Sequence, residues 1–123
     1  MAFEYVLANL LANTGNAVGV MFLDESGETV DMACSEFTPY QMRVVGAYLG
    51  IYLRNLERLL ERGNLGGPKI IHIEKNALHI HALPLPDGYY LVLVQRRPGP
   101  VAQARATLAE AGQQLKREVF GVV

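Results

Sequence analysis

The chain has 123 residues and a mass of 13.5 kDa, room for one domain with a sizeable core. Half of its residues are apolar and 19% are charged, which excludes a disordered tail, and 11 basic against 12 acidic residues exclude the strongly basic footprint of a nucleic-acid binder. A single cysteine, Cys34, excludes an internal disulfide and a Cys-rich zinc module, and no apolar run approaches the roughly 20 residues of a membrane span.

Phe3, Val6, Leu7, Leu10 and Leu11 recur at helical spacing, so residues 3–13 are expected to form an amphipathic helix. Its opening Met1-Ala2-Phe3-Glu4-Tyr5 has no basic residue and does not read as a signal peptide, which with the lone cysteine points to the cytoplasm. Residues 17–23 are almost unbroken in apolar character and suit a central strand buried on both faces. Asp24-Glu25-Ser26-Gly27 is turn chemistry, and residues 28–35 alternate as a strand hairpinned to its predecessor. Thr38-Pro39-Tyr40-Gln41 carries a capping box with proline at the first helical position, and predicts a long helix to about Arg62. Met42, Val45, Leu49, Tyr52, Leu56 and Leu59 form one apolar stripe along it. After a Gly-rich loop, residues 69–75 and 77–83 read as two strands around Asn76. With Lys75 and Asn76 as the turn, Ile71 would face Ile80 and Ile73 would face Leu78, while His72 faces His79 and Ile70 faces His81 on the other surface. Residues 89–94 are a second central strand, and a final helix follows Pro100 with Val101, Ala104, Leu108, Ala111 and Leu115 inward.

The order α-β-β-α-β-β-β-α with tight hairpins predicts an α+β domain around a five-stranded antiparallel sheet. Two strands without a polar face need cover on both sides, so the long helix should take one face and the terminal helices the other.

Gly46 and Gly50 stand one turn apart inside the long helix, each at a cost of about 1 kcal/mol relative to alanine. With Leu53 they form a second stripe. Two readings are open: the stripe admits a second backbone, or it clears space for large residues of the chain's own sheet. Arg54, Arg58 and Arg62 alternate with Glu57 and Glu61 in the manner of a solvated face. His72, His79 and His81 fall on one sheet surface, with Glu74 in reach, but a lone His-x-His pair is a weak metal signature and no metal site is expected. The 63–69 loop has the wrong order and spacing for a phosphate loop, and no nucleophile elbow is present. Cys34 reads as a small packed residue. No catalytic residue and no cofactor is expected.

The opening helix, Ala17-Val18-Gly19-Val20 followed by Asp24-Glu25-Ser26-Gly27, the long helix from Thr38, the paired strands around Asn76, and Asp87-Gly88-Tyr89-Tyr90-Leu91-Val92-Leu93-Val94 before a last helix together resemble the Roadblock / dynein light-chain superfamily, with its longin-like fold. The resemblance covers nearly the whole chain. It implies a homodimer in which the middle helices pack together and the third strands pair across the two-fold. It implies a non-enzymatic regulator or scaffold of small Ras-like GTPases, as in the bacterial branch that acts on gliding-motility GTPases. Carried onto this sequence, Gly46, Gly50 and Leu53 become dimer contacts on the helix, and Ile70, Ile71, His72 and Ile73 become the shared edge. Arg54, Arg58, Arg96 and Arg97 are the candidates for contact with the GTPase. The rival expectation is a small-molecule or metal-sensing domain whose pocket Tyr89, Tyr90 and the histidines would line.

Overall fold

The computed structural model describes residues 3–121. Helix α1 (Glu4–Asn13) leads into strand β1 (Ala17–Leu23), which hairpins to β2 (Thr29–Cys34). Helix α2 (Pro39–Arg62) follows, then β3 (Ile71–Glu74), β4 (Leu78–Pro84), a short 3-10 turn, β5 (Tyr90–Arg96) and α3 (Val101–Glu118). The five strands form one antiparallel sheet in the order β2-β1-β5-β4-β3. The two apolar runs, β1 and β5, sit inside it, and β2 and β3 are its edges.

Alternation along β5, and along β1 beyond an irregularity between Ala17 and Gly19, divides two cores. Val20, Phe22, Leu91 and Leu93 face α1 and α3. Val18, Met21, Val92 and Val94 face α2. Both expected layers are present. The α2 capping box forms as its residues dictate: the Gln41 amide donates to Thr38 Oγ1 at 3.1 Å, and the Thr38 amide donates to Gln41 Oε1 at 2.9 Å. No helix among the described residues is long and apolar enough to cross a membrane.

Two local expectations change. Strand β3 is shorter than residues 69–75, because Lys69 and Ile70 follow Pro68 before the ladder with β4 begins. The β3–β4 register is displaced by two residues: Ile71 pairs with Ala82, His72 with His81 and Ile73 with Ile80. The turn lies on Asn76 and Ala77, closed by the Lys75 amide donating to the Leu78 carbonyl at 2.8 Å. Side chains repeat every two residues along a strand, so a slip of two keeps each on its face and leaves apolar sorting unable to distinguish the registers.

Candidate interaction surface

Helix α2 lies on β1 and β2 and presents Met42, Gly46, Leu49, Gly50 and Leu53 to them, all buried. The glycine stripe therefore faces the chain's own sheet. A Cβ on Gly46 would stand 3.0 Å from Met21 Sδ and 3.1 Å from Leu23 Cδ2, and one on Gly50 only 2.7 Å from the Gly27 Cα. Leu53 is fully buried. Gly46, Gly50 and Leu53 are thus not contacts for a second copy. They let the helix approach the β1–β2 hairpin, whose Gly27 has φ of +83° and itself needs to be glycine.

The surface of α2 open to solvent is the opposite one. Tyr40, Val44, Tyr48, Ile51, Tyr52 and Leu59 are all exposed, with Tyr40 at 74%, Tyr48 at 73% and Leu59 at 65%. At 100° per residue they span a band about 120° wide, nearly opposite the buried stripe. Tyr52 and Leu59 were expected on the packed stripe; the glycines took that place because only they admit the hairpin so closely. The outer band was missed in the sequence because tyrosine is amphipathic and reads equally as inside or outside.

On the side of the sheet that α2 covers, the cover is incomplete. Because α2 packs mainly on β1 and β2, the half of that sheet face on β3 and β4 carries Ile71, Ile73, Leu78 and Ile80 only partly buried. The face ends at β3, whose outer side has no strand among the described residues. The opposite edge differs: the Asp31 carboxylate accepts from the Met32 amide of β2 at 2.8 Å, occupying an edge donor with a charged residue. Ile70, outside the strand, turns to the α1/α3 core instead.

The four arginines separate into two kinds. Arg58 is exposed and Arg54 partly buried, along one flank of α2. Arg96 and Arg97 are engaged within the chain. Arg96 pairs with Glu36, and Arg97 Nη1 donates to the Lys75 carbonyl at 3.0 Å while its Nη2 lies 3.9 Å from Glu74 Oε2. They brace the β2–α2 connection and the β3–β4 turn, and enter a partner contact only by releasing those bonds.

The three histidines do meet, on the sheet face toward α3. His72 Nε2 and His79 Nδ1 are 2.9 Å apart, and the His72 and His81 rings stack with centroids 4.8 Å apart. Burial pushes His72 and His81 below the ordinary imidazole range; the neighbouring histidines and Arg105 act the same way. Among the described residues no group of three or more His, Cys, Asp or Glu side chains is arranged to hold a metal ion. Tyr89 and Tyr90 point to opposite faces of the sheet. Tyr89 packs with Phe22 and Phe120, and Tyr90 donates its hydroxyl to Glu57 of α2, with burial and that carboxylate raising its pKa. The two tyrosines cannot line one pocket with the histidines. Cys34 is partly buried at the margin of the α2 core.

No family model and no curated protein matches the sequence. Solved structures do match the fold. Myxococcus xanthus MglB superposes with a TM-score of 0.88 at 12% identity, covering 99% of this chain and 98% of that one. An MglB described in a tetrameric arrangement gives 0.86 at 14% identity, covering 99% and 90%. A Roadblock/LC7 domain from Streptomyces avermitilis gives 0.85 at 12% identity, covering 95% and 97%. Over nearly its whole length, then, the chain has the Roadblock/LC7 fold.

Proposed function

We propose that the protein is a homodimeric, non-enzymatic regulator or scaffold of a small Ras-like GTPase, working in the cytoplasm. The observation that carries the dimer is the pairing of two uncovered apolar surfaces on one side of the molecule. The outer band of α2 and the half-covered β3–β4 face, with its open edge, lie on the same side of the sheet. A two-fold axis beside β3 would lay the Tyr48–Ile51–Tyr52 band of one copy over Ile71, Ile73, Leu78 and Ile80 of the other, and would close both β3 edges. One contact would remove from water what the single chain leaves exposed. The contacts differ from those first expected on the helix: Tyr48, Ile51 and Tyr52 replace Gly46, Gly50 and Leu53, whereas Ile71, His72 and Ile73 of β3 remain.

The GTPase reading rests on the fold shared with the MglB structures and on the resemblance drawn from the sequence. A regulator of this kind acts by binding the switch segments that nucleotide state orders, which requires a preformed protein surface and no catalytic group of its own. Of the four candidate arginines, Arg54 and Arg58 are the ones we assign to that contact, since among the described residues Arg96 and Arg97 are held in ion pairs and these two are not. The test is capture from the native cell with the immobilised protein, identification of a Ras-like GTPase, and titration of that GTPase loaded with GDP or with a GTP analogue. The reading predicts direct binding that differs between the two nucleotide states. Binding by neither state of any captured GTPase would refute it.

A further inference from the structure

Of the imidazole cluster only His72 enters the reading above, as a residue of the β3 edge; His79 and His81 do not. Its hydrogen bonding fixes its protonation. Gln95 Nε2 donates to the Gly15 carbonyl at 2.9 Å, so Gln95 Oε1 is the atom facing His81 Nε2 at 3.1 Å. His81 must therefore carry its proton on Nε2, which leaves Nδ1 a lone pair. That Nδ1 is buried and has no partner. His72 and His79 share a proton across their 2.9 Å contact. A first extra proton on this pair is tolerated, because one N–H···N bond survives. A second aims two N–H donors at each other, and a proton on His81 Nδ1 puts a buried donor with no acceptor, and a charge, 4.8 Å from the His72 ring.

We propose that His72, His79 and His81 form a proton-sensitive clasp on edge strand β3: neutral, they hold β3 on β4 with its outer edge in place, and protonated, they release it and weaken association with a second copy. The first half rests on geometry alone, and the second half rests on the dimer reading. Strand β3 is short, four residues, and among the described residues β4 is its only strand neighbour. His72, the cluster's member on β3, joins both rings of β4, by hydrogen bond to His79 and by stacking on His81.

The charged groups around the cluster act in both directions. Arg105 of α3 opposes protonation of His72 and His81 and so adds to the strain once they are charged. Glu74 at the end of β3, 3.9 Å from His79 Nδ1, favours the charged form of His72, but it is shared with Arg97 at the same distance. From β5 the neutral Gln95 faces His81. The sign follows: His72 and His81 are depressed below the usual 6.5 when β3 is closed, so the released strand binds more protons at any pH under that value. The clasp is fully effective above about pH 6.5 and fails as pH falls below it.

The experiment is hydrogen–deuterium exchange of the full chain at pH 7.5 and 5.5, corrected for the intrinsic pH dependence of exchange, with sedimentation velocity in the same buffers. Protection across Ile71–Glu74 is expected to fall by roughly tenfold at pH 5.5, the limit for one histidine over one pH unit, with β1 and β5, which open only with the whole fold, better protected than β3 at both pH values. The dimer should weaken in parallel. His72→Gln preserves polarity without ionising, and should lose most of the pH response; His79→Gln should do likewise. Unchanged β3 protection in the native chain, or a full pH response in both variants, overturns the clasp. A chain that sediments as a monomer at both pH values instead refutes the dimer reading, so the two failures are told apart by separate readouts.

Discussion

Replacing Gly50 by alanine separates the two roles that a glycine on this helix can have. The added Cβ would stand 2.7 Å from the Gly27 Cα and 3.6 Å from its nitrogen. Both are backbone atoms, held in a turn by the Gly27 amide donating to the Asp24 carbonyl at 3.0 Å and by Asp24 Oδ1 accepting from the Ser26 and Glu28 amides. Helix and hairpin must separate by roughly 0.7 Å to restore an ordinary contact. Overpacking of this kind costs about 1–3 kcal/mol, and the upper end applies where backbone rather than a side-chain tip must move. Alanine returns about 1 kcal/mol of helix propensity. The net expectation for Gly50→Ala is a loss of about 2 kcal/mol, seen as a Tm lower by roughly 5–10 °C. Gly46→Ala is the control: its Cβ meets side chains rather than backbone, Met21 at 3.0 Å, Leu23 at 3.1 Å and Thr29 at 3.6 Å, and these can shift, so the helix gain offsets most of the cost. Both variants should be unfolded by urea at two protein concentrations, because association raises the apparent midpoint. If Gly50→Ala unfolds like the native chain and differs only in self-association, the glycine faces a partner and the assignment of the α2 surfaces is wrong.

The other predictions concern the cap, the buried amide and the acid response. Thr38→Ala removes the side chain that accepts from the Gln41 amide and should cost about 1 kcal/mol in urea denaturation, with no change in assembly. Gln95→Leu leaves the His81 ring N–H and the Gly15 carbonyl without their partner and should destabilise by about 1–3 kcal/mol, whereas an exposed glutamine such as Gln113 should be neutral to the same change. Global stability should be highest above pH 6.5 and decline on acidification, since burial depresses His72 and His81 in the fold and the unfolded chain then takes up more protons. A urea midpoint that rises between pH 7 and 5.5 would contradict this.

Much of the architecture was legible because it is written in period and punctuation. The apolar runs at 17–23 and 89–94 became two interior strands, the second as Tyr90–Arg96, and Thr38-Pro39-Tyr40-Gln41 began the long helix with both capping bonds formed. The interaction surface was less legible. Sequence shows that Gly46 and Gly50 make room but not for what. The answer lies with Gly27, 23 residues before Gly50 in the chain, and nothing local to the helix names it. The tyrosines are ambiguous for the reason given above, and the β3–β4 register escaped because a two-residue slip preserves every face. The histidines were placed together correctly, but the orphaned His81 Nδ1 depends on Gln95 and Gly15 from two other segments.

The central claim is that a second copy covers the outer band of α2 and the open β3 margin. Sedimentation equilibrium of the native chain and of Ile51→Asp tests it most directly, because Ile51 is 51% exposed and its change leaves the monomer core intact. The account predicts a dimer at micromolar concentration for the native chain and a folded monomer for the variant. A native chain that stays monomeric to hundreds of micromolar, or a variant that dimerises as tightly as the native chain, would contradict it.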